Sequence, residues 1–163
     1  MIGRRTLLAG SAVGGALALA AIGRRTPARG ADVGKFPVAR TDAEWRHSLT
    51  LAQYDILRRQ GTERPESSPL DHETRRGTYS CAGCQTANYS SDAKFDSGTG
   101  WPSFWQPLAG AVQVSSDTSF GMSRDEVHCA NCGGHLGHVF NDGPRPTGLR
   151  YCMNGFALDF KPA

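Results

Sequence analysis

The sequence CAGC at residues 81–84 is matched by CANC at residues 129–132, and the fold must be built around these two stretches. Two residues separate the sulfurs of each pair, so both sulfurs can point to one tetrahedral centre. Two disulfides, or iron in place of zinc, are the alternatives that this spacing leaves open. The pattern predicts one structural zinc ion held by Cys81, Cys84, Cys129 and Cys132.

The fifth cysteine, Cys152, stands alone in LRYCMN at residues 149–154. If residues 149–158 form a strand, Arg150, Cys152 and Asn154 share one face. A guanidinium beside a thiol favours the reactive thiolate, and Asn154 could orient a polar substrate oxygen. The alternative is that Cys152 is a small buried apolar residue.

The stretch HLGHVFNDGP at residues 135–144 follows the second cysteine pair. In a regular strand His135 and His138 point to opposite faces, so a bulge, for example at Gly137, is needed to bring both to one site. One histidine is then structural, while the other can serve as a proton donor.

A glycine-rich loop, FDSGTGWPSF at residues 95–104, carries two aromatic side chains, Trp101 and Phe104. Aromatic residues most often pack in the core. Beside a reactive cysteine, a loop aromatic could instead hold a methyl–sulfur group through apolar and sulfur–aromatic contact.

The 163 residues suggest one domain, with 39% hydrophobic and 20% charged residues as in ordinary soluble proteins. Capping boxes at residues 41–44 and 50–53 predict two helices, the second with an apolar stripe of Leu51, Tyr54 and Leu57 and an end at Gly61. Short runs at residues 77–80, 111–115, 126–129, 136–140 and 149–158 predict strands. We therefore expect an antiparallel β body with small N-terminal helices.

The N-terminus is typical of an export signal. Arg4 and Arg5 precede an apolar run rich in alanine and glycine, and small residues follow at residues 27–31. Paired arginines before a mildly apolar run resemble the twin-arginine class, which delivers to the periplasm. The alternatives are an ordinary secretory signal and an uncleaved signal that anchors the protein in the membrane. We expect a signal peptide over residues 1–31, a linker over residues 32–40 and a catalytic domain over residues 41–163.

The charge of the chain is concentrated in that leader. The formal net charge is +3, but residues 1–31 hold five arginines and no acid. Without them, 13 basic residues of the original 18 face 15 acidic ones, a balance of −2. A basic face for nucleic acid is therefore not indicated, although a zinc-knuckle binding module would use the same cysteine pairs.

Three motifs occur in order, KFDSGTGWPSF, HLGHVFNDGP and TGLRYCMN, with one CxxC pair before the first and the other before the second. This arrangement resembles the methionine-R-sulfoxide reductases, the MsrB family, and TLAQYDILRRQGTERP at residues 50–65 resembles that family's N-terminal helix. The resemblance implies two antiparallel sheets with peripheral helices, held at one end by zinc. It also implies a monomeric enzyme that reduces the R epimer of methionine sulfoxide, free or in oxidised proteins, with a thioredoxin-like or other thiol as reductant.

The resemblance also implies roles for individual residues. Cys152 attacks the sulfoxide and becomes a sulfenic acid, while His138, Asn154 and a water protonate or bind the oxygen. Arg150 promotes the thiolate and Asp142 steadies the histidine region. The substrate-binding residues are Trp101, which packs on the substrate methyl, together with His135 and Phe104.

Three departures from the family pattern bear on mechanism. Thr99 stands where many members carry the recycling cysteine, so an external thiol, or a cysteine released from zinc, must reduce the sulfenic acid. Phe120 stands where relatives often carry histidine. Gly155 and Phe156 replace smaller polar residues and are expected to reshape the substrate surface. A catalytically silent protein that keeps the fold is the remaining alternative.

Overall fold

In residues 36–118 and 123–163, which the computed structural model describes, two helices precede nine strands. The helices are α1 (Asp42–Ser48) and α2 (Leu51–Arg59). The strands are β1 (Gly77–Cys81), β2 (Ala87–Ser90), β3 (Lys94–Phe95), β4 (Ser103–Phe104), β5 (Val112–Asp117), β6 (Arg124–Cys129), β7 (His135–Phe140), β8 (Arg150–Met153) and β9 (Leu158–Pro162). The expected export signal and Phe120 lie outside the described residues.

The strands form two antiparallel sheets, as expected. One sheet has the order β2-β1-β9, and the other has the order β3-β4-β8-β7-β6-β5. The mainly β fold is thus confirmed. The expected single strand over residues 149–158 is wrong, because a 3₁₀ turn at Gly155–Ala157 interrupts it and the chain passes from one sheet to the other.

Both helices begin at the capping boxes that the sequence predicts. Thr41 caps α1 with Glu44, and Thr50 caps α2 with Gln53. The predicted end of α2 is displaced by one residue, because Gln60 takes the left-handed conformation at the C-cap. Leu51 is 87% exposed and does not belong to the buried stripe.

The helices pack on the two CxxC loops. Trp45 and Leu57 are buried, and a side chain at Gly83 would contact both of them at 3.5 Å. A Cβ at Gly134 would come within 2.9 Å of the Leu57 side chain. The described end of the expected linker packs there too, because Val38 N–H donates to the Asn131 carbonyl at 2.8 Å. The cysteine loops and the helices therefore form one packed end of the molecule.

The core between the sheets is aromatic. Tyr79 and Tyr89 are fully buried on either side of Phe104, which stacks on Tyr89 with ring centroids 4.3 Å apart. The expectation that Phe104 binds substrate is therefore wrong, because its ring fills the core and has no solvent-facing surface.

None of the helices in the described part of the chain has the length and apolar character needed to cross a bilayer.

Candidate active site

Cys152 lies at the centre of the larger sheet, on β8 between β4 and β7. Its register partners are Ser103 on β4 and His138 on β7. Directly opposed residues of antiparallel strands project from the same face, so these three side chains belong to one site. Gly137 makes this alignment possible, because a Cβ there would lie 2.1 Å from the Cys152 carbonyl oxygen.

A hydrogen-bonded cluster of three hydroxyl groups adjoins the Cys152 sulfur through Thr99 and Ser103. The Thr99 hydroxyl is 3.9 Å from Sγ, and the Ser97 hydroxyl is 2.8 Å from that of Thr99 and 2.7 Å from that of Ser103. Because Ser103 also donates to the Trp101 carbonyl at 3.2 Å, the cluster connects the sulfur to the glycine-rich loop. The position expected for a recycling cysteine therefore carries a hydroxyl within contact distance of the reactive sulfur.

Arg150 lies two residues before the sulfur and is held in place by Asp142. Its Nε and Nη2 donate to the two carboxylate oxygens at 2.9 and 2.8 Å, and its guanidinium carbon lies 4.5 Å from the centroid of the Phe140 ring. This ion pair lowers the pKa of Asp142. Asp142 thus orients the cation next to Cys152, whereas the sequence suggested that it steadies the histidine region.

Burial controls the protonation state of Cys152. Removal from water raises the pKa of the Cys152 thiol, and the Thr99 hydroxyl, the Arg150 charge and the Ser103 hydroxyl oppose that rise without overcoming it. We expected Arg150 to make the free cysteine a thiolate. In the substrate-free protein the thiol is instead the dominant form at neutral pH.

His138 is fixed by an acidic residue that sequence reasoning missed. Its Nε2 lies 3.0 Å from Asp117 Oδ2, which also accepts from Arg124 at 2.8 Å. Burial lowers the pKa of His138, although the bond to Asp117 opposes this, so the ring is neutral at pH 7. A carboxylate only accepts, so Nε2 carries the hydrogen and Nδ1 is left as an acceptor. Nothing in the sequence around Asp117 indicates this pairing.

A β-bulge brings the second histidine to the same region. The pairing of β6 with β7 skips Leu136, since Val127 faces Gly137 and His128 faces His135. The rings of His135 and His138 consequently lie edge to face, with centroids 5.4 Å apart. His135 is buried, with Nδ1 2.8 Å from Glu126 Oε1.

Trp101 and Asn154 form hydrogen bonds with the backbone of the same buried residue, Glu63. The indole Nε1 donates to the Glu63 carbonyl at 3.2 Å, while the Asn154 Oδ1 accepts the Glu63 N–H at 3.0 Å. Asn154 Nδ2 donates to the Leu136 carbonyl at 3.1 Å, so the amide is occupied by backbone groups. Sequence reasoning did not single out Glu63, although it lies in the stretch of residues 50–65 that carries part of the family resemblance.

The four paired cysteines converge as the spacing predicted. Their sulfur atoms all lie within 4.8 Å of one another, and the closest pairs are Cys84–Cys129 at 3.6 Å and Cys81–Cys132 at 3.7 Å. All five described cysteines are free thiols, so neither CxxC pair is a disulfide. A tetrahedral ion with Zn–S bonds of about 2.3 Å needs sulfurs about 3.8 Å apart, so the geometry fits such an ion.

Comparison with known proteins matches this chain to one domain family and to relatives that share one name. Residues 49–162 match the SelR domain family. A protein of Agrobacterium fabrum named peptide methionine sulfoxide reductase MsrB is 55% identical over 126 residues, covering 77% of this chain and 93% of the relative. Relatives of the same name are 52% identical in Leptospira interrogans, covering 77% and 97%, and 51% identical in Methanosarcina barkeri, covering 76% and 88%.

The raised pKa of the Cys152 thiol predicts its reactivity. Because only the thiolate is alkylated, the rate of iodoacetamide labelling at Cys152 should rise with pH to a midpoint above the ordinary value of 9.0. Arg150→Met should move the midpoint higher still, because it removes the cation. Peptide mass spectrometry gives the rate at this position; a native midpoint below 9.0 would contradict the dominance of burial.

Proposed function

This chain belongs to the SelR domain family of peptide methionine sulfoxide reductases, and we propose that Cys152 is the nucleophile of its reaction. The enzyme is a peptide-methionine (R)-S-oxide reductase, an oxidoreductase that returns the R epimer of methionine sulfoxide to methionine and so repairs oxidised proteins. The observation that carries the residue assignment is the register of β4, β8 and β7, which aligns Cys152 with Ser103 and His138.

The reaction moves one oxygen atom and two electrons. The Cys152 sulfur attacks the sulfoxide sulfur and forms an S–S bond with it. The S–O bond of the substrate then breaks as the oxygen becomes bonded to the Cys152 sulfur, and the S–S bond breaks as methionine leaves as the thioether. Cys152 is oxidised to the sulfenic acid and keeps the oxygen, while the substrate sulfur gains the two electrons. The proton of the thiol is transferred to that oxygen, so no other reactant is consumed in this step.

His138 is suited to carry this proton. Its neutral ring accepts the Cys152 proton at Nδ1 and returns it to the sulfoxide oxygen, while Asp117 keeps the hydrogen on Nε2. Arg150 stabilises the transient thiolate, and Asp142 holds Arg150 in position. His135 packs against the His138 ring.

Trp101 is assigned to the methyl group of the substrate. Its half-buried indole belongs to the loop that carries Thr99 and is connected to Cys152 through Ser103. An aromatic face there accepts an S-methyl group by apolar contact. Attack on one face of a chiral sulfoxide selects the epimer, since the other epimer presents its methyl group where the oxygen must be.

Cys152→Ser should reduce turnover below detection, because a serine hydroxyl cannot take oxygen from a sulfoxide. The assay is reduction of a dabsylated methionine-R-sulfoxide with dithiothreitol. Ser115→Ala, an exposed substitution on β5, serves as the control and should keep native activity. Activity retained by Cys152→Ser would end the assignment of the nucleophile.

We propose further that an external thiol reduces the sulfenic acid of Cys152 directly. Thr99 cannot form a disulfide, and the other four cysteines lie in their own cluster. A first thiol displaces water to give a mixed disulfide, and a second thiol releases Cys152. A thioredoxin-like protein or a small thiol on the same side of the membrane has the required chemistry.

We also propose that the enzyme is a monomer. Sedimentation velocity should show a monomer, and a stable dimer would contradict this proposal.

After one turnover without reductant, mass spectrometry should find Cys152 oxidised and no intramolecular disulfide. Thr99→Cys is the matched variant, because it puts a second sulfur near the 3.9 Å contact and should convert the product into a disulfide. A disulfide between Cys152 and any other cysteine of the native chain would contradict direct reduction.

We propose that the four-cysteine cluster holds one structural zinc ion. The ligands would be Cys81, Cys84, Cys129 and Cys132, and the ion would neutralise their charge and join the loops that carry them. The ion takes no part in the redox step, since the reactive sulfur lies outside the cluster.

Elemental analysis should give about one zinc per native chain. Cys84→Ser should lose the metal and melt at a lower temperature, whereas Cys152→Ser, which removes a thiol outside the cluster, should keep it. Two disulfides and no metal in the native protein would exclude the zinc site.

We also propose that residues 1–31 are a twin-arginine signal that directs the enzyme to the periplasm, with membrane retention through an uncleaved signal as the alternative. Arg4 and Arg5 ahead of the apolar run support this route. Export of folded cargo would allow the thiolates to bind metal before they meet an oxidising compartment.

Replacing both Arg4 and Arg5 by lysine should stop export, because it keeps the positive charge and removes the arginine pair. Fractionation and immunoblotting give the location of the full-length and processed chains. Unchanged export of the lysine variant would assign the segment to an ordinary secretory signal, and native protein in the cytoplasm would exclude export.

A further inference from the structure

The loop that follows α2 crosses the end of β8 and presents a buried carboxylate there, on Glu63. This side chain is 8% exposed, and the hydrogen bonds of its carboxylate are to backbone N–H groups. We propose that Glu63 is a positioning residue of the reductase reaction, which fixes the distance between the Trp101 wall of the pocket and the strand end that carries Cys152. The inference rests on the function proposed above.

The backbone of Glu63 joins the side chains of Trp101 and Asn154. Its carbonyl accepts the indole N–H of Trp101 at 3.2 Å, and its N–H donates to the amide oxygen of Asn154 at 3.0 Å. Both bonds belong to one residue, so Trp101 and Asn154 cannot shift independently of each other. Asn154 therefore acts by holding the loop, whereas the sequence suggested that it binds the sulfoxide oxygen.

The carboxylate of Glu63 fixes the other side of the same junction. Oε1 accepts the Gly155 N–H at 2.7 Å and Oε2 accepts the Phe156 N–H at 2.8 Å. These are the first N–H groups of the 3₁₀ turn at Gly155–Ala157, and its N-cap residue, Asn154, makes no side-chain cap. Glu63 supplies that cap from a distant part of the chain, which leaves Asn154 free to bond to the loop.

Close packing between the Glu63 loop and the 3₁₀ turn also indicates that the two are held in a fixed position. A Cβ at Gly155 would lie 2.1 Å from the Ser68 hydroxyl and 3.3 Å from Glu63 Oε1. Glycine is therefore required for the loop to approach the turn. Glu63 thus lies in a closely packed junction between the loop and the turn.

A glutamine at position 63 keeps the backbone bonds to Trp101 and Asn154 but weakens the side-chain cap on the 3₁₀ turn. It has nearly the shape of glutamate, but it offers one carbonyl oxygen, and its amide N–H₂ faces a second N–H donor. One bond to the turn is lost, and the turn moves relative to the loop. Misplacement of a pocket wall on the order of 1 Å can lower the rate about 100-fold.

The test compares Glu63→Gln with Glu66→Gln, which makes the same charge change at an exposed neighbour in the loop. Glu63→Gln should lower kcat/KM for a methionine-R-sulfoxide peptide about 10- to 100-fold, chiefly through a higher KM. Iodoacetamide labelling of Cys152, which needs no pocket wall, should stay within about twofold of the native rate. Glu66→Gln should match the native enzyme in both measurements.

A double-mutant cycle with Trp101→Phe shows whether Glu63 acts through the indole. Phenylalanine keeps an aromatic face and removes the N–H that bonds to Glu63. The double variant should lose clearly less than the product of the two single effects, since both disturb one contact. Multiplicative effects would overturn the proposal, as would a Glu63→Gln protein that does not fold or in which Cys152 labelling falls together with turnover. If the native enzyme is inactive, or Cys152→Ser is active, the proposed function fails instead.

Discussion

Four sulfur atoms from the two CxxC loops meet between the two sheets of this molecule, where the proposed zinc ion would join the sheets. Cys81 ends β1 in the smaller sheet and Cys129 ends β6 in the larger one, and each sulfur lies against a partner from the other CxxC loop. Leu57 of α2 packs on these loops, and the chain after α2 leads directly to Glu63. The cysteine cluster and the loop that carries Glu63 are therefore connected through α2.

Two opposing requirements meet at Cys152. The nucleophile must lie in a water-poor site, where the Arg150 charge and the Thr99 and Ser103 hydroxyls act strongly. The same loss of water stabilises the neutral thiol. In the proposed mechanism, the neutral ring of His138 on the facing strand takes the proton when a substrate arrives. The thiol thus stays protonated in the free enzyme, which limits its reaction with other electrophiles.

Local patterns in the sequence predicted the helices, most strands and the cysteine cluster, because capping boxes and CxxC spacings are short-range features. The two-residue strands β3 and β4 and the four-residue strand β2 were missed, since no alternation is visible at such lengths. Phe104 was misplaced because a loop aromatic and a core aromatic look alike in sequence. Asp117 and Glu63 reach their partners across the fold, at separations that leave no local pattern.

The presence of threonine rather than cysteine at position 99 affects the lifetime of the oxidised form of Cys152. A cysteine there would convert the sulfenic acid into an internal disulfide with release of water, a stable oxidised form that a later donor could reduce. With threonine at 3.9 Å, each proposed cycle would leave a sulfenic acid whose lifetime is set by the supply of donor thiols. Because that sulfur is half-buried between two strands, direct reduction as proposed favours a small thiol, or a cysteine at a protruding tip of a donor protein. Scarcity of such donors would expose the enzyme to irreversible overoxidation.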